Sequence, residues 1–136
     1  MAKRIAIVND DRDFVDMVSL LLEDEGYEVR TCSRGDEALS LLREWRPSLV
    51  LLDLRMAGLS GWEALDLIEQ DPELPGLRVL ITSGAVEEVA ARRERLRAKK
   101  HDFIALPFDL DRFLGKVKEM AGEPWPTTEE KPDQGA

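Results

Sequence analysis

Leu49-Val50-Leu51-Leu52-Asp53-Leu54-Arg55-Met56-Ala57-Gly58-Leu59-Ser60-Gly61 is the stretch on which the reading of this chain turns. Its first four residues are apolar and closed by polar ones, the form of a strand covered on both faces. Asp53 then breaks an apolar run that resumes at Leu54. Carboxylates are seldom placed among apolar residues, because burying the charge without a partner is costly. A chemical role for Asp53 therefore outweighs a purely structural one. Ser60 is placed to cap a following helix marked by Leu65 and Ile68.

Working outward, the same alternation recurs. Further apolar runs are Ile5 to Val8, Tyr27 to Cys32, Val79 to Ile81 and Phe103 to Ala105. Between them lie segments of helical spacing. Phe14, Val18, Leu21 and Leu22 share one face, Leu39, Leu42 and Trp45 another, and Leu110, Phe113, Leu114 and Val117 a last one. Gly26 can end the first helix, Ser33 cap the second, and Pro47 close it. A fourth helix is expected from Arg92 to His101. Five buried strands alternating with five helices define an α/β class, a parallel sheet with helices on both faces. In such sheets ligands bind beyond the carboxyl ends of the strands.

The chain has 136 residues, 43% hydrophobic and 35% charged, with a net charge of −9. This is the size of one domain. The acidic balance argues against a nonspecific nucleic-acid or anionic-membrane binder. One cysteine, Cys32, excludes an internal disulfide and a cysteine-rich metal site. The first apolar run is too short for a secretion signal or a membrane span, which gives a cytoplasmic expectation. Residues 1–121 form the expected domain. Residues 122–136, rich in proline and acids, read as a flexible tail whose large apolar residue is Trp125.

Polar groups gather at the strand ends. The first strand runs into Asn9-Asp10-Asp11, the third into Asp53, and the fourth into Thr82-Ser83-Gly84. Asp11 and Asp13 suit the start of a helix. Asp10 and Asp53 would lie on neighbouring strands with converging carboxylates. Two such charges repel by about 4 kcal/mol at 4 Å and an effective dielectric of 20. A proton or a cation must offset this, and a few hard oxygen ligands suit Mg²⁺.

The segment from Leu51 to Gly61, the interval between Asp10 and Asp53, and the ending Ala105-Leu106-Pro107-Phe108-Asp109 together resemble the receiver domain of two-component response regulators, over residues 3–121. That resemblance implies a (βα)5 flavodoxin-like fold and a phosphorelay function. Asp53 would be the phosphoacceptor, and Mg²⁺ would be held by Asp10, Asp53 and the Arg55 carbonyl, with Asn9 acting through water. Ser83 would bind a phosphoryl oxygen, Phe103 would be the aromatic switch position, and a cis bond is expected at Leu106-Pro107. The implied partners are a histidine kinase or phosphotransfer protein, a downstream protein, and a second copy of the chain. The expectation is a stand-alone receiver that signals by protein contact and is not an enzyme.

The sequence departs from the family at three positions. Asn9 replaces the first of two adjacent acids, so Mg²⁺ affinity is expected to fall. Leu106 stands where the family has a lysine that pairs with the aspartate and then with the phosphoryl oxygen. The lost bond is worth about 1.5–3 kcal/mol. Ala57 replaces a proline in the following loop. These changes give an alternative reading, a pseudo-receiver that binds its partner independently of phosphorylation. A flavin or nucleotide protein would carry a glycine-rich loop after the first strand, and an aspartyl phosphatase an acid at Arg55; neither is present. The stretch Arg92, Arg93, Arg95, Arg97, Lys99, Lys100 reverses the sign of an acidic chain and marks a candidate partner surface. Lys99 or Lys100 is also a candidate to reach over the site in place of the missing lysine. His101 is expected on the surface.

Overall fold

In the computed structural model, residues 2–56 and 58–124 are described. The strands β1 (Arg4–Val8), β2 (Glu28–Cys32), β3 (Leu49–Asp53), β4 (Arg78–Ser83) and β5 (Asp102–Ala105) form one parallel sheet. Its order is β2-β1-β3-β4-β5, so the winding reverses between β1 and β3. The helices are α1 (Arg12–Glu25), α2 (Gly35–Trp45), α3 (Gly61–Gln70), α4 (Val86–Ala90), α5 (Arg93–Ala98) and α6 (Leu110–Ala121).

Side chains alternate across a strand, and here both faces are covered, so the central strands are apolar throughout. Ile5, Ile7, Leu49, Leu51 and Leu80 pack under α1 and α6 against Val18, Leu22, Phe113 and Val117. Ala6, Val8, Val50, Leu52 and Ile81 pack against Leu42, Ile68, Val89 and Leu96 of α2, α3, α4 and α5. Both clusters hold the carboxyl ends of β1, β3 and β4 side by side. The register pairs Val8 with Leu52 and Asp53 with Thr82.

Several expectations are corrected. Within the Tyr27–Cys32 run, Glu28–Cys32 forms an edge strand with exposed positions, since among the described residues no strand pairs beyond β2. Ser33 caps nothing, since α2 starts later and its cap position is Arg34, without a side-chain bond. Leu110 is largely exposed, and the buried stripe of α6 begins at Phe113. The basic helix expected over 92–101 is shorter, α5, and a separate short helix, α4, precedes it across Ala91–Arg92; Val89 and Leu96, seven residues apart, both pack in the core. His101 is only 4% exposed rather than on the surface. Lys100 takes a positive φ of 64°, which turns the chain into β5 and draws His101 beneath α5.

Gly26, in the left-handed conformation at φ 108°, ends α1 as expected. Past Ala121 the chain stays attached for three residues. The Tyr27 hydroxyl donates to the Gly122 carbonyl at 2.7 Å, and the Lys3 N–H donates to that of Pro124 at 2.8 Å. The remainder of the expected tail, with Trp125, and also Ala57 lie outside the described residues.

Candidate functional site

At the reversal between β1 and β3 the strand ends deliver acids. The Asn9 side chain is buried, and its Oδ1 accepts the Asp11 N–H at 2.8 Å, which curls the loop after β1. Asp11 in turn accepts the Phe14 N–H at 3.2 Å and caps α1, as its sequence position suggested. Asp10, between them, is exposed. On its outer side a groove of about 830 Å³ runs between α1 and the loop after β2, lined by Asn9, Asp10, Arg12, Asp16, Cys32 and Arg34.

Asp53 is half-buried at the end of β3. Burial pushes its carboxyl above the ordinary value, and the charges of Asp10 and Asp11 add to this. The backbone N–H groups of Arg55 and Leu54 act in the opposite direction and stabilise the carboxylate. The charges acting on Asp53 are thus both negative. Glycine at 61 lets α3 begin directly against this strand end. Its N–H donates to the Leu54 carbonyl at 2.9 Å, and a Cβ there would stand 2.4 Å from the Asp53 carbonyl oxygen.

Ser83 ends β4, buried, one residue beyond the partner of Asp53. Its Oγ accepts the Ala85 N–H at 3.0 Å, and its carbonyl accepts the Leu106 N–H at 2.9 Å. The Leu106–Pro107 bond is cis, as expected. Leu106 is half-buried and supplies no charge. Phe103 pairs with Ile81 in the sheet and packs in the cluster that holds Val89 and Leu96. The site thus brings together Asn9, Asp10, Asp53, Ser83 and Leu106.

The basic stretch lies elsewhere. Lys99 and Lys100 precede the amino end of β5, whereas Asp53 closes the carboxyl end of β3 in the same parallel sheet. Neither lysine stands in for the missing one. Arg92 lies over the Trp62 ring, and Arg95 pairs with Asp66 at 3.4 Å. Arg93, Arg97, Lys99 and Lys100 are exposed.

The carboxylates of Asp10 and Asp53 with the Arg55 carbonyl would make an all-oxygen donor set, of the kind that suits a hard divalent ion. The Asp53 carboxyl, raised first by burial and further by Asp10 and Asp11, stands among like charges that a cation would offset. Among the described residues, no three His, Cys, Asp or Glu side chains are grouped to hold a metal. Asp11 is engaged at the cap of α1, which leaves two acids for the ion. Gly61 is the residue that sequence reasoning missed. The signal available was a glycine directly after a capping serine, where most residues would serve the helix as well.

Residues 5–118 match the family model of the response regulator receiver domain. The nitrogen assimilation regulatory protein NtrX of Azorhizobium caulinodans is 38% identical over 117 residues, 84% of this chain and 25% of that protein. The phosphate regulon transcriptional regulatory protein PhoB of Rhizobium meliloti is 34% identical over 120 residues, 88% of this chain and 52% of that protein. The chain spans a quarter to about half the length of these relatives. The fold is shared with the receiver domain of the sensor histidine kinase PA1611 from Pseudomonas aeruginosa, at TM-score 0.77 and 20% identity. That match covers 90% of this chain and 99% of that one, which holds a magnesium ion in its active-site cleft.

A five-stranded parallel sheet of this order, matched over most of its length by the receiver-domain model, places the chain in a class of signalling domain. The chain belongs to the response regulator receiver domain family, which acts in two-component phosphorelays.

Proposed function

We propose that Asp53 accepts a phosphoryl group from a phosphohistidine on a histidine kinase or phosphotransfer protein. One carboxylate oxygen forms a bond to phosphorus as the donor's P–N bond breaks. The imidazole leaves with the bonding pair and takes a proton from solvent, so Asp53 becomes an acyl phosphate. The observation that carries this reading is the Asp53 carboxyl itself, half-buried at the switch point and, among the described residues, acted on by the charges of two acids, Asp10 and Asp11. The β3 end fixes its position, and the Ser83 hydroxyl, whose oxygen already accepts the Ala85 N–H, keeps its own proton to donate to a phosphoryl oxygen.

Magnesium in the cleft of the PA1611 receiver supports the same ion here. Asp10, Asp53 and the Arg55 carbonyl would hold it, with Asn9 through water, and when bound it neutralises charge on the transferring group. With Asn9 in place of an acid, its affinity is lower than for a site with one more carboxylate. The test is transfer from phosphoramidate, a small P–N donor, resolved on a phosphate-affinity gel with Mg²⁺ or EDTA. A Mg²⁺-dependent shifted band is expected. No band, with a second receiver labelled in parallel, overturns the reading.

Output passes by protein contact, through the exposed cations of α5 and the turn that follows: Arg93, Arg97, Lys99 and Lys100. In the cell the domain works in the cytoplasm, and among the described residues no helix is long and apolar enough to cross a membrane. A second reading is favoured by one observation, the uncharged Leu106 beside Ser83. There the domain binds its partner whether or not Asp53 is modified. Equal partner affinity of the native chain and Asp53→Asn would support it.

A further inference from the structure

Trp62, second residue of α3, reaches across to the neighbouring short helices. Its indole N–H donates to the Glu88 carboxylate of α4 at 2.6 Å. Arg92, at the break between α4 and α5, places its guanidinium 4.2 Å from the centre of the same ring. The two contacts close a clasp in which one indole holds the middle of α4 and the turn that follows it. That helix has five residues, no side-chain cap and one buried residue, Val89. A helix so short has no stability of its own and depends on tertiary contacts. Segments of this kind are the first to open locally.

The other end of α4 is tied to the phosphoacceptor site. The Ala85 N–H, immediately before the helix, donates to Ser83 Oγ. Phe103 packs in the cluster that holds Val89, so the floor beneath α4 is formed by the same strand that leads to Leu106.

We propose that the Trp62–Glu88–Arg92 clasp is a latch that holds α4 against α3 and opens when Ser83 turns toward a phosphoryl group on Asp53. The trigger rests on the reading of Asp53 as phosphoacceptor. As Ser83 Oγ moves, its bond to the Ala85 N–H lengthens and the first turn of α4 loses its anchor. The helix shifts, the indole N–H loses Glu88, and the ring and the Arg92 guanidinium become free surface. This coupling runs through Ser83 and α4 alone, so it needs no lysine at Leu106.

The test has two arms on the full chain. In the unmodified protein, Glu88→Ala and Arg92→Ala each remove one side of the clasp. Amide hydrogen exchange over residues 84–92 is expected to rise several-fold with β3 unchanged, and the Trp62 emission to move to longer wavelength. A Trp62→Phe chain separates that emission from those of Trp45 and Trp125. Exchange and emission both unchanged overturn the latch, whatever Asp53 does. In the second arm the native chain is treated with a small phosphodonor and Mg²⁺, and its mass is checked. Phosphorylated protein is expected to show the same rise and shift. Phosphorylated protein with native exchange and emission overturns the latch and leaves the acceptor intact, whereas no gain in mass overturns the acceptor and the trigger together.

Discussion

Asp53 is held against its own ionisation. Burial, then Asp10 and Asp11, raise its folded carboxyl above the unfolded value. The folded state therefore binds this proton more tightly, and the stability so gained at low pH is lost as pH rises through the raised value. At neutral pH the ionised group opposes folding, as functional charges commonly do. Asp53→Asn is expected to raise the melting temperature at pH 7 by about 3–6 °C, read by calorimetry. An equal or lower melting temperature contradicts this assignment. The complementary substitution, Leu106→Lys, returns a cation to the β5 end. A charge-assisted bond of about 1.5–3 kcal/mol makes phosphorylation roughly tenfold faster or more, measured as the initial rate with a small donor.

At the scale of the element, two joints decide how the site is held. The first is the start of α3, where Gly61 brings the helix against β3. Gly61→Ala places a methyl group 2.4 Å from the Asp53 carbonyl oxygen, so backbone must move. A loss of about 1–3 kcal/mol in urea unfolding and slower phosphorylation are expected together. The second joint is His101, whose Nδ1 accepts the Val79 N–H at 3.0 Å and so ties the entry of β5 to β4.

Burial, helped by Lys99, lowers the His101 pKa to about 4. The Glu69 carboxylate, 3.6 Å from Nε2, draws a proton the other way but does not reverse this. The unfolded histidine titrates near 6.5, so stability is full above that value and is lost as pH falls from about 6.5 toward 4. The loss reaches up to about 3 kcal/mol, read by urea unfolding at pH 7 and pH 4.5. His101→Gln is expected to flatten that dependence.

Across the whole molecule, what could be read from the sequence follows from what burial demands. Parallel strands covered on both faces must be apolar, so β1, β3 and β4 stand out within a residue or two of their observed ends. An acid that breaks this pattern, Asp53, is conspicuous for the same reason, whereas Asp10 is legible from its place at the end of the first strand. The parts that stayed hidden depend on tertiary geometry. His101 is buried because Lys100 turns the chain at a positive φ, and no periodicity announces such a turn. The break between α4 and α5 is hidden because Val89 and Leu96, seven residues apart, fall on one face just as they would in a continuous helix. Nothing in the spacing of the sequence announces that Glu88 and Arg92 meet at Trp62.

The same view separates the two ends of the sheet. The carboxyl ends carry the acids, and the chain leading into the amino end of β5 carries Lys99 and Lys100. On the proposed reading, the site works without them, on Asp10, Asp53 and Ser83. The most direct test is intact mass after incubation with a small phosphodonor and Mg²⁺, run beside Asp53→Asn. One added phosphoryl group on the native chain and none on the variant is the expected result. No addition to the native chain while a control receiver is labelled, or equal addition to both chains, would contradict Asp53 as the phosphoacceptor.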